Sequence, residues 1–125
     1  MGLFDNLLGN ASEVDVSKLQ EEAATILASH ERLEKAFRIF RDLYLFTDKR
    51  LILVDKQGIT GSKAEYLSLP YRSITRFCIE TAGTFDADSE LKIWVSGTPE
   101  PLVRQFKKGS NILEIQKVLA TYVLK

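Results

Sequence analysis

The stretch from Tyr44 to Val95 reads YLFTDKRLILVDKQGITGSKAEYLSLPYRSITRFCIETAGTFDADSELKIWV and decides the fold. It consists of short apolar or alternating runs that are separated by turns rich in Gly, Asp, Lys and Pro. Runs of this kind predict antiparallel β-strands. Because helical patterns occur only at the two ends of the chain, the strands must bury their apolar faces against each other. One strongly bent sheet or a small barrel is therefore expected.

Seven strands are predicted in the chain. Alternation indicates the first over residues 33–40, and residues 43–47 and 50–55 flank Asp48-Lys49 as a tight hairpin. Nearly every position of that hairpin is apolar, so both of its faces are expected to be covered. The remaining strands are expected over residues 63–69, 73–81, 90–96 and 102–106. Pro70 marks a break between the fourth and fifth strands because it has no backbone N–H to donate to a ladder.

A helix is predicted at each end of the strand-rich part. The first spans residues 16–28, begins at a capping signal from Asp15 or Ser17, and carries one apolar stripe. This stripe is expected to pack on its own domain, the alternative being an inter-subunit surface or a weak membrane contact. The second helix spans residues 111–124, with its apolar stripe facing inward. Residues 1–13 are expected to form an N-terminal apolar segment and residues 14–125 a single domain.

Composition excludes several classes of protein. A chain of 125 residues is long enough to bury a core without disulfides or metal, and the single cysteine, Cys78, cannot form an internal disulfide. A cytoplasmic location is therefore expected. The 17 basic and 17 acidic residues cancel, so nucleic acid is not an expected partner. No apolar stretch reaches the roughly 20 residues that a membrane span needs.

No catalytic or metal-binding pattern stands out in the sequence. The one histidine, His30, lacks the strained serine turn of a Ser/His/acid catalyst, and Cys78 lies within a predicted strand as a small buried side chain. Asp86, Asp88 and Glu90 alternate, but a calcium loop of the EF-hand type also needs a glycine and a distant glutamate that are absent. We expect no enzymatic activity, no cofactor and no metal site.

Five pieces of the chain, taken in order, resemble the bacterial pleckstrin-homology (PH-like) domain family. They are Thr47–Leu53 (TDKRLIL), Gly58–Gly61 (GITG), Tyr66–Ile74 (YLSLPYRSI), Glu80–Gly83 (ETAG) and Leu91–Trp94 (LKIW). The resemblance covers about residues 14–124. It implies a mainly β (α+β) fold, a strongly bent seven-stranded antiparallel barrel with a C-terminal capping helix, here with an extra N-terminal helix. It also implies a non-enzymatic domain that often self-associates into symmetric rings.

Two hypotheses about function remain open. The first is an interaction module that assembles into a homo-oligomeric ring through sheet edges and the N-terminal segment, and that binds a protein or peptide partner by strand addition. Its predicted interface residues are Leu3, Phe4, Leu7, Leu8, Arg72, Arg76, Glu80 and Trp94.

The second hypothesis is a membrane-surface or lipid-binding module that uses Lys49, Arg50 and Lys63 near turns. Phosphoinositide-binding relatives of the resembled family use basic residues in the loop between their first two strands. Here that loop offers only Arg41-Asp42 between Phe40 and Leu43, so membrane contact is expected to be weak or absent.

Overall fold

A computed structural model describes residues 12–13, 15–39, 41–57, 63–81, 88–107 and 111–125. Within them lie eight strands and two α-helices, with single turns of 3-10 helix at Val16–Lys18 and Tyr71–Ser73. The elements, in chain order, are β1 (Ser12–Glu13), α1 (Gln20–Ala23), β2 (Leu33–Ile39), β3 (Asp42–Thr47), β4 (Arg50–Gln57), β5 (Lys63–Pro70), β6 (Ile74–Thr81), β7 (Ser89–Val95), β8 (Leu102–Phe106) and α2 (Ile112–Val123).

The chain divides into two compact units, Met1–Ser68 and Leu69–Lys125. The first contains a five-stranded sheet with the order β1-β2-β3-β4-β5. In the β3–β4 hairpin, Leu43 faces Val54 and Phe46 faces Leu51 across the strands. All residues from Leu43 to Phe46 and from Leu51 to Val54 are at most 2% exposed. The prediction that both faces of this hairpin are covered is thus confirmed.

One face of the β2–β4 sheet is covered by the segment around α1. The apolar stripe predicted for this segment packs there: Leu19 and Ala23 are buried against Leu33, Leu43 and Ile52. Val16, Ile26 and Leu27 pack against the same cluster. Docking on its own domain, the first of the two readings of the stripe, is therefore what the structure shows.

The length predicted for the first helix is wrong. The helical segment begins as expected, with the Asp15 carboxylate accepting a hydrogen bond from the N–H of Ser17, but α1 ends at Ala23 and residues 24–28 form turns. After Ala23 the N–H groups of Thr25 and Ile26 donate to carbonyls three residues back, those of Glu22 and Ala23, which is a tighter turn than that of an α-helix. The apolar stripe is kept by the turns, and for this reason its spacing looked like that of a longer helix.

The second unit contains an antiparallel sheet with the order β6-β7-β8 and the C-terminal helix. The helix α2 lies against β6 and the turn Tyr71–Ser73, where Tyr71 stacks on Tyr122 with ring centroids 4.9 Å apart. The buried apolar residues of this unit are Leu69, Ile74, Leu91, Ile93, Phe106, Ile112, Ile115, Val118 and Leu119.

The expected fold class, mainly β with a helix at the C-terminus, is confirmed, and the strands β2–β8 lie within one or two residues of their predicted bounds. The additional strand β1 pairs with β2 through Ser12 opposite Arg38 and Glu13 opposite Phe37. Leu3, Phe4, Leu7, Leu8 and Asp86 lie outside the described residues. Among the helices in the described ranges, none combines the length and apolarity that crossing a membrane requires.

Candidate functional site

The outer face of the β6–β7–β8 sheet carries several of the predicted interface residues. It is formed by every second residue of the three strands: Arg76, Cys78, Glu80, Glu90, Lys92, Trp94, Val103 and Gln105. The opposite face of the same strands holds the buried Leu91, Ile93 and Phe106. We call this surface the β6–β8 outer face, and its residues are brought together by the period of two along a strand.

Arg76 and Trp94 form one end of the β6–β8 outer face. They are register partners, and the guanidinium carbon of Arg76 lies 4.2 Å from the centroid of the Trp94 ring. A guanidinium at this distance is attracted by the ring quadrupole. The prediction that Trp94 lies on the non-core side of its strand is confirmed, and the indole is half-buried beneath the guanidinium.

The other end of the β6–β8 outer face is acidic. Glu80 and Glu90 are register partners, and Glu80 Oε1 accepts a hydrogen bond from Lys92 Nζ at 2.6 Å. This carboxylate raises the pKa of Lys92 above its usual value. Glu80, Asp88 and Glu90 line a depression of about 230 Å³ together with Thr81, Ser89 and Gln105.

The structure differs from the sequence-based expectation at Arg72, a predicted interface residue, and at Cys78, which was expected to be buried. Arg76 and Glu80 share a face, as expected, whereas Arg72 lies in the 3-10 turn before β6, outside the face. Cys78 is half-buried on the outer face opposite Lys92, so the expectation that it is a buried core residue is wrong. The alternation of β6 explains this, because Cys78 is two residues from Arg76 and from Glu80.

A second polar cluster surrounds Arg50, one of the residues of the lipid alternative. Arg50 Nε lies 2.8 Å from Glu31 Oε2, and a second N–H of the same guanidinium donates to Glu31 Oε1 at 2.9 Å. The guanidinium also donates to the Ser68 hydroxyl and to the carbonyl of Ile26. Four hydrogen bonds within the protein thus hold the guanidinium of Arg50, and its charge stabilises the buried carboxylate of Glu31.

Glu31 is the centre of this cluster, although it is not among the residues predicted from sequence. Its side chain is 2% exposed, and it accepts hydrogen bonds from the Thr47 hydroxyl at 2.6 Å and from the N–H of Ala28 at 2.8 Å. The hydrogen bond from Arg50 is the main reason that the pKa of Glu31 falls from 4.5 to about 2, against the opposing effect of burial. Its partners are 16 and 19 residues away in the chain, so no local pattern marks it.

The remaining candidates are separate from these clusters. Lys49 and Lys63 are exposed, one in the β3–β4 turn and the other at the start of β5. His30 is exposed in the turn before β2 and adopts a left-handed conformation with φ of 68°. In the ranges that the structure describes, no group of His, Cys, Asp or Glu has an arrangement that fits a metal ion.

The strand β5 is the third notable feature: its span was predicted, whereas its exposure was not. It lies at the end of the five-stranded sheet, and Lys63 to Tyr66 are exposed without alternation. Tyr66 is 42% exposed, although aromatic residues in strands are normally packed on one face. Leu69 near the end of the strand is buried, so only the first half of β5 has both faces in water. Such a segment at the edge of a sheet is suited to pairing with another strand.

Comparisons with known proteins agree on the type of domain. The family model described as bacterial PH domain matches residues 2–123. The uncharacterized protein YjqA of Bacillus subtilis (strain 168) is 62% identical over 96% of this chain and 97% of that protein.

Two crystal structures from Shewanella species are similar in fold as well as in sequence. The pleckstrin homology domain from Shewanella amazonensis SB2B is 54% identical, covers 99% of this chain and 100% of its own, and superimposes with a TM-score of 0.85. A DUF1696 family protein with a pleckstrin-homology domain from Shewanella loihica PV-4 is 51% identical over 92% of this chain and 98% of that chain, with a TM-score of 0.77.

Proposed function

Because the chain belongs to the bacterial PH domain family, we propose that it is a non-enzymatic interaction module that self-associates into a symmetric homo-oligomeric ring through sheet edges and binds a protein or peptide partner. The observation that carries this proposal is the exposure of the first half of β5, Lys63 to Tyr66, on both faces at the end of the five-stranded sheet.

The backbone of β5 lies at the end of the sheet, where a further strand can be added. An edge strand presents a row of N–H and C=O groups on its outer side, and these groups gain partners when a strand of a second copy pairs with them. Pairing also covers exposed apolar surface: Tyr66 is 42% exposed and its neighbour Leu67 is half-buried. When the edge of one copy meets a different surface of the next, the contact is heterologous, and a rotation that closes produces a ring.

The first experiment measures the mass of the purified chain by size-exclusion chromatography with light scattering. We expect a mass several times that of one chain at micromolar concentration. Tyr66→Glu places a charge on the proposed contact and should lower the mass, because an unpaired charge in an interface is costly. Leu113→Glu is the matched control, since Leu113 is 45% exposed but lies on α2. A wild-type monomer, or equal losses for both variants, contradicts the proposal.

Two further variants address the interface residues predicted from sequence. Removal of residues 1–10 deletes Leu3, Phe4, Leu7 and Leu8, and Trp94→Ala removes the indole. Each is expected to lower the assembly order while the protomer stays folded by circular dichroism. Unchanged mass for either variant removes that element from the interface, whereas the β5 contact is judged only by Tyr66→Glu.

The membrane-surface alternative has less support. Of its three residues, Arg50 is held by Glu31, Ser68 and the carbonyl of Ile26, which leaves the exposed Lys49 and Lys63 to contact lipid. Two lysines fall short of the clusters of about four to eight that bind anionic lipid surfaces. Co-sedimentation with vesicles that contain anionic lipid tests this alternative, and salt-sensitive binding that Lys49→Glu abolishes is the result in its favour.

A further inference from the structure

The β6–β8 outer face is electrically asymmetric along its strands. Its first rung is Arg76 with Trp94, and its middle rung is Cys78, Lys92 and Val103. Its last rung is Glu80, Glu90 and Gln105. A cation stacked on an aromatic ring therefore stands at one end. At the other end, Glu80 accepts a hydrogen bond from Lys92 and Glu90 accepts one from Gln105, and Asp88 lines the same depression. Three carboxylates and one ammonium group thus give this end a net negative charge.

The acidic end is shaped to receive a cationic side chain. The depression lined by Glu80, Asp88 and Glu90 has a volume of about 230 Å³, several times the roughly 30 Å³ that one water molecule occupies. Carboxylates bind a guanidinium with paired, charge-assisted hydrogen bonds. Arg76, which projects with Trp94 from the opposite end of the same face, is a group of this kind.

From this arrangement we propose that the β6–β8 outer face pairs with the same face of a second copy of the chain, about a two-fold axis that runs along the middle rung, Cys78–Lys92–Val103. Rotation about this axis reverses the strand direction, so each copy brings its Arg76 and Trp94 onto the acidic depression of the other. The complementary contact is made twice because a two-fold interface is self-complementary. This pairing is separate from the ring contact at β5, which is heterologous and lies at a sheet edge. Arg76 and Trp94, which were predicted from sequence as interface residues of the ring, belong to the two-fold contact in this proposal.

The middle rung is compatible with this axis. Val103 is 40% exposed and gains an apolar partner from the second copy. The two Lys92 side chains face each other, but each ammonium is drawn to Glu80 of its own chain at 2.6 Å, which offsets their repulsion. Arg and Trp are the residue types that most often dominate the energy of an interface, and here they occupy the two symmetric contacts.

The area of the face sets the strength of the pairing. Three strands spaced at about 4.8 Å and seven residues at about 3.4 Å give a patch of about 340 Å² for each copy. The total of about 700 Å² is below the 1,200–2,000 Å² of stable interfaces. The association is therefore weak, concentration-dependent and sensitive to salt.

Cys78 provides a direct test because it lies on the proposed axis. A short bis-maleimide crosslinker, added to the full chain over a concentration series, should join two copies through Cys78 with a yield that rises with concentration. Cys78→Ser abolishes the product. In the matched control Cys78→Ser/Gln105→Cys, the single thiol of each copy lies at the acidic end of the face. The two-fold axis places these two thiols at opposite ends of the interface, so the yield of crosslinked dimer should fall at least tenfold.

Charge reversal tests the complementarity of the two ends. Arg76→Glu should weaken association at least tenfold in sedimentation velocity, a readout that does not need the thiol. Arg32→Glu makes the same charge change outside the face, at a side chain that is 73% exposed, and should leave the association unchanged. Tyr66→Glu, which addresses the ring, should leave the Cys78 crosslink intact. The proposal is overturned if no crosslinked dimer forms, if Gln105→Cys crosslinks as well as Cys78, or if the two arginine variants behave alike.

Discussion

Replacing Glu31 with glutamine is expected to destabilise the protein by about 3 kcal/mol at pH 7. This loss follows from the pKa of Glu31, which the hydrogen bonds from Arg50 and Thr47 lower from 4.5 to about 2. A shift of this size corresponds to about 3 kcal/mol of preference for the charged form in the folded state. The side chain is only 2% exposed, so water screens the interaction little.

The sign of the pH dependence follows from the same shift. Because the folded state lowers the pKa, the stabilisation is fully present above about pH 4.5 and is lost as the pH falls through about 2. The difference between the wild type and Glu31→Gln in the free energy of unfolding should therefore shrink from about 3 kcal/mol at pH 7 to about 1 kcal/mol at pH 3. Urea unfolding at the two pH values measures it.

The control for this experiment is the more exposed ion pair between Arg32 and Glu34 at the start of β2. Glu34 lies 3.2 Å from Arg32, with side chains that are 32% and 73% exposed, so Glu34→Gln should cost less than about 1 kcal/mol. A loss below about 1 kcal/mol for Glu31→Gln at pH 7, or a loss that stays constant down to pH 3, refutes the assignment of the stability to the Glu31–Arg50 pair.

Three further predictions concern other contacts. Thr47→Val should cost about 1–3 kcal/mol, because the buried hydroxyl serves Glu31 and two N–H groups of the turn; in a double-mutant cycle by urea unfolding, its effect should not add to that of Glu31→Gln. Gly97→Ala should lower the free energy of unfolding by about 1 kcal/mol although no atom lies within 4 Å of the new methyl group, since φ is +83°; no measurable loss in thermal unfolding contradicts this. Arg76→Ala should increase acrylamide quenching of Trp94, the only tryptophan, because it removes the guanidinium that covers the ring; unchanged quenching means that the stack does not persist in solution.

The apolar hairpin from Leu43 to Val54 shows why the strands could be predicted. Consecutive apolar residues on either side of Asp48-Lys49 predict that both faces are buried, and they are. This pattern lies within each strand, so it can be recognised without knowing which strands are neighbours. The first helix was predicted too long because an apolar stripe reports which residues are buried and does not report where the backbone leaves the helix. Past Ala23 the stripe continues through Ile26 and Leu27 in turns, where the N–H groups of Thr25 and Ile26 donate to carbonyls three residues back.

The amino-acid sequence by itself determined the positions of the strands, the C-terminal helix and the sharing of one face by Arg76 and Glu80, because these features follow from periods of two and 3.6 residues along the chain. Only the tertiary structure decided which residues meet across the chain. Glu31 joins Arg50 over 19 residues, Arg76 stacks on Trp94 across two strands, and β5 lies exposed at the end of its sheet. Such contacts depend on strand order and register, which are set by the packing of the whole core. They therefore correspond to no local pattern in the sequence.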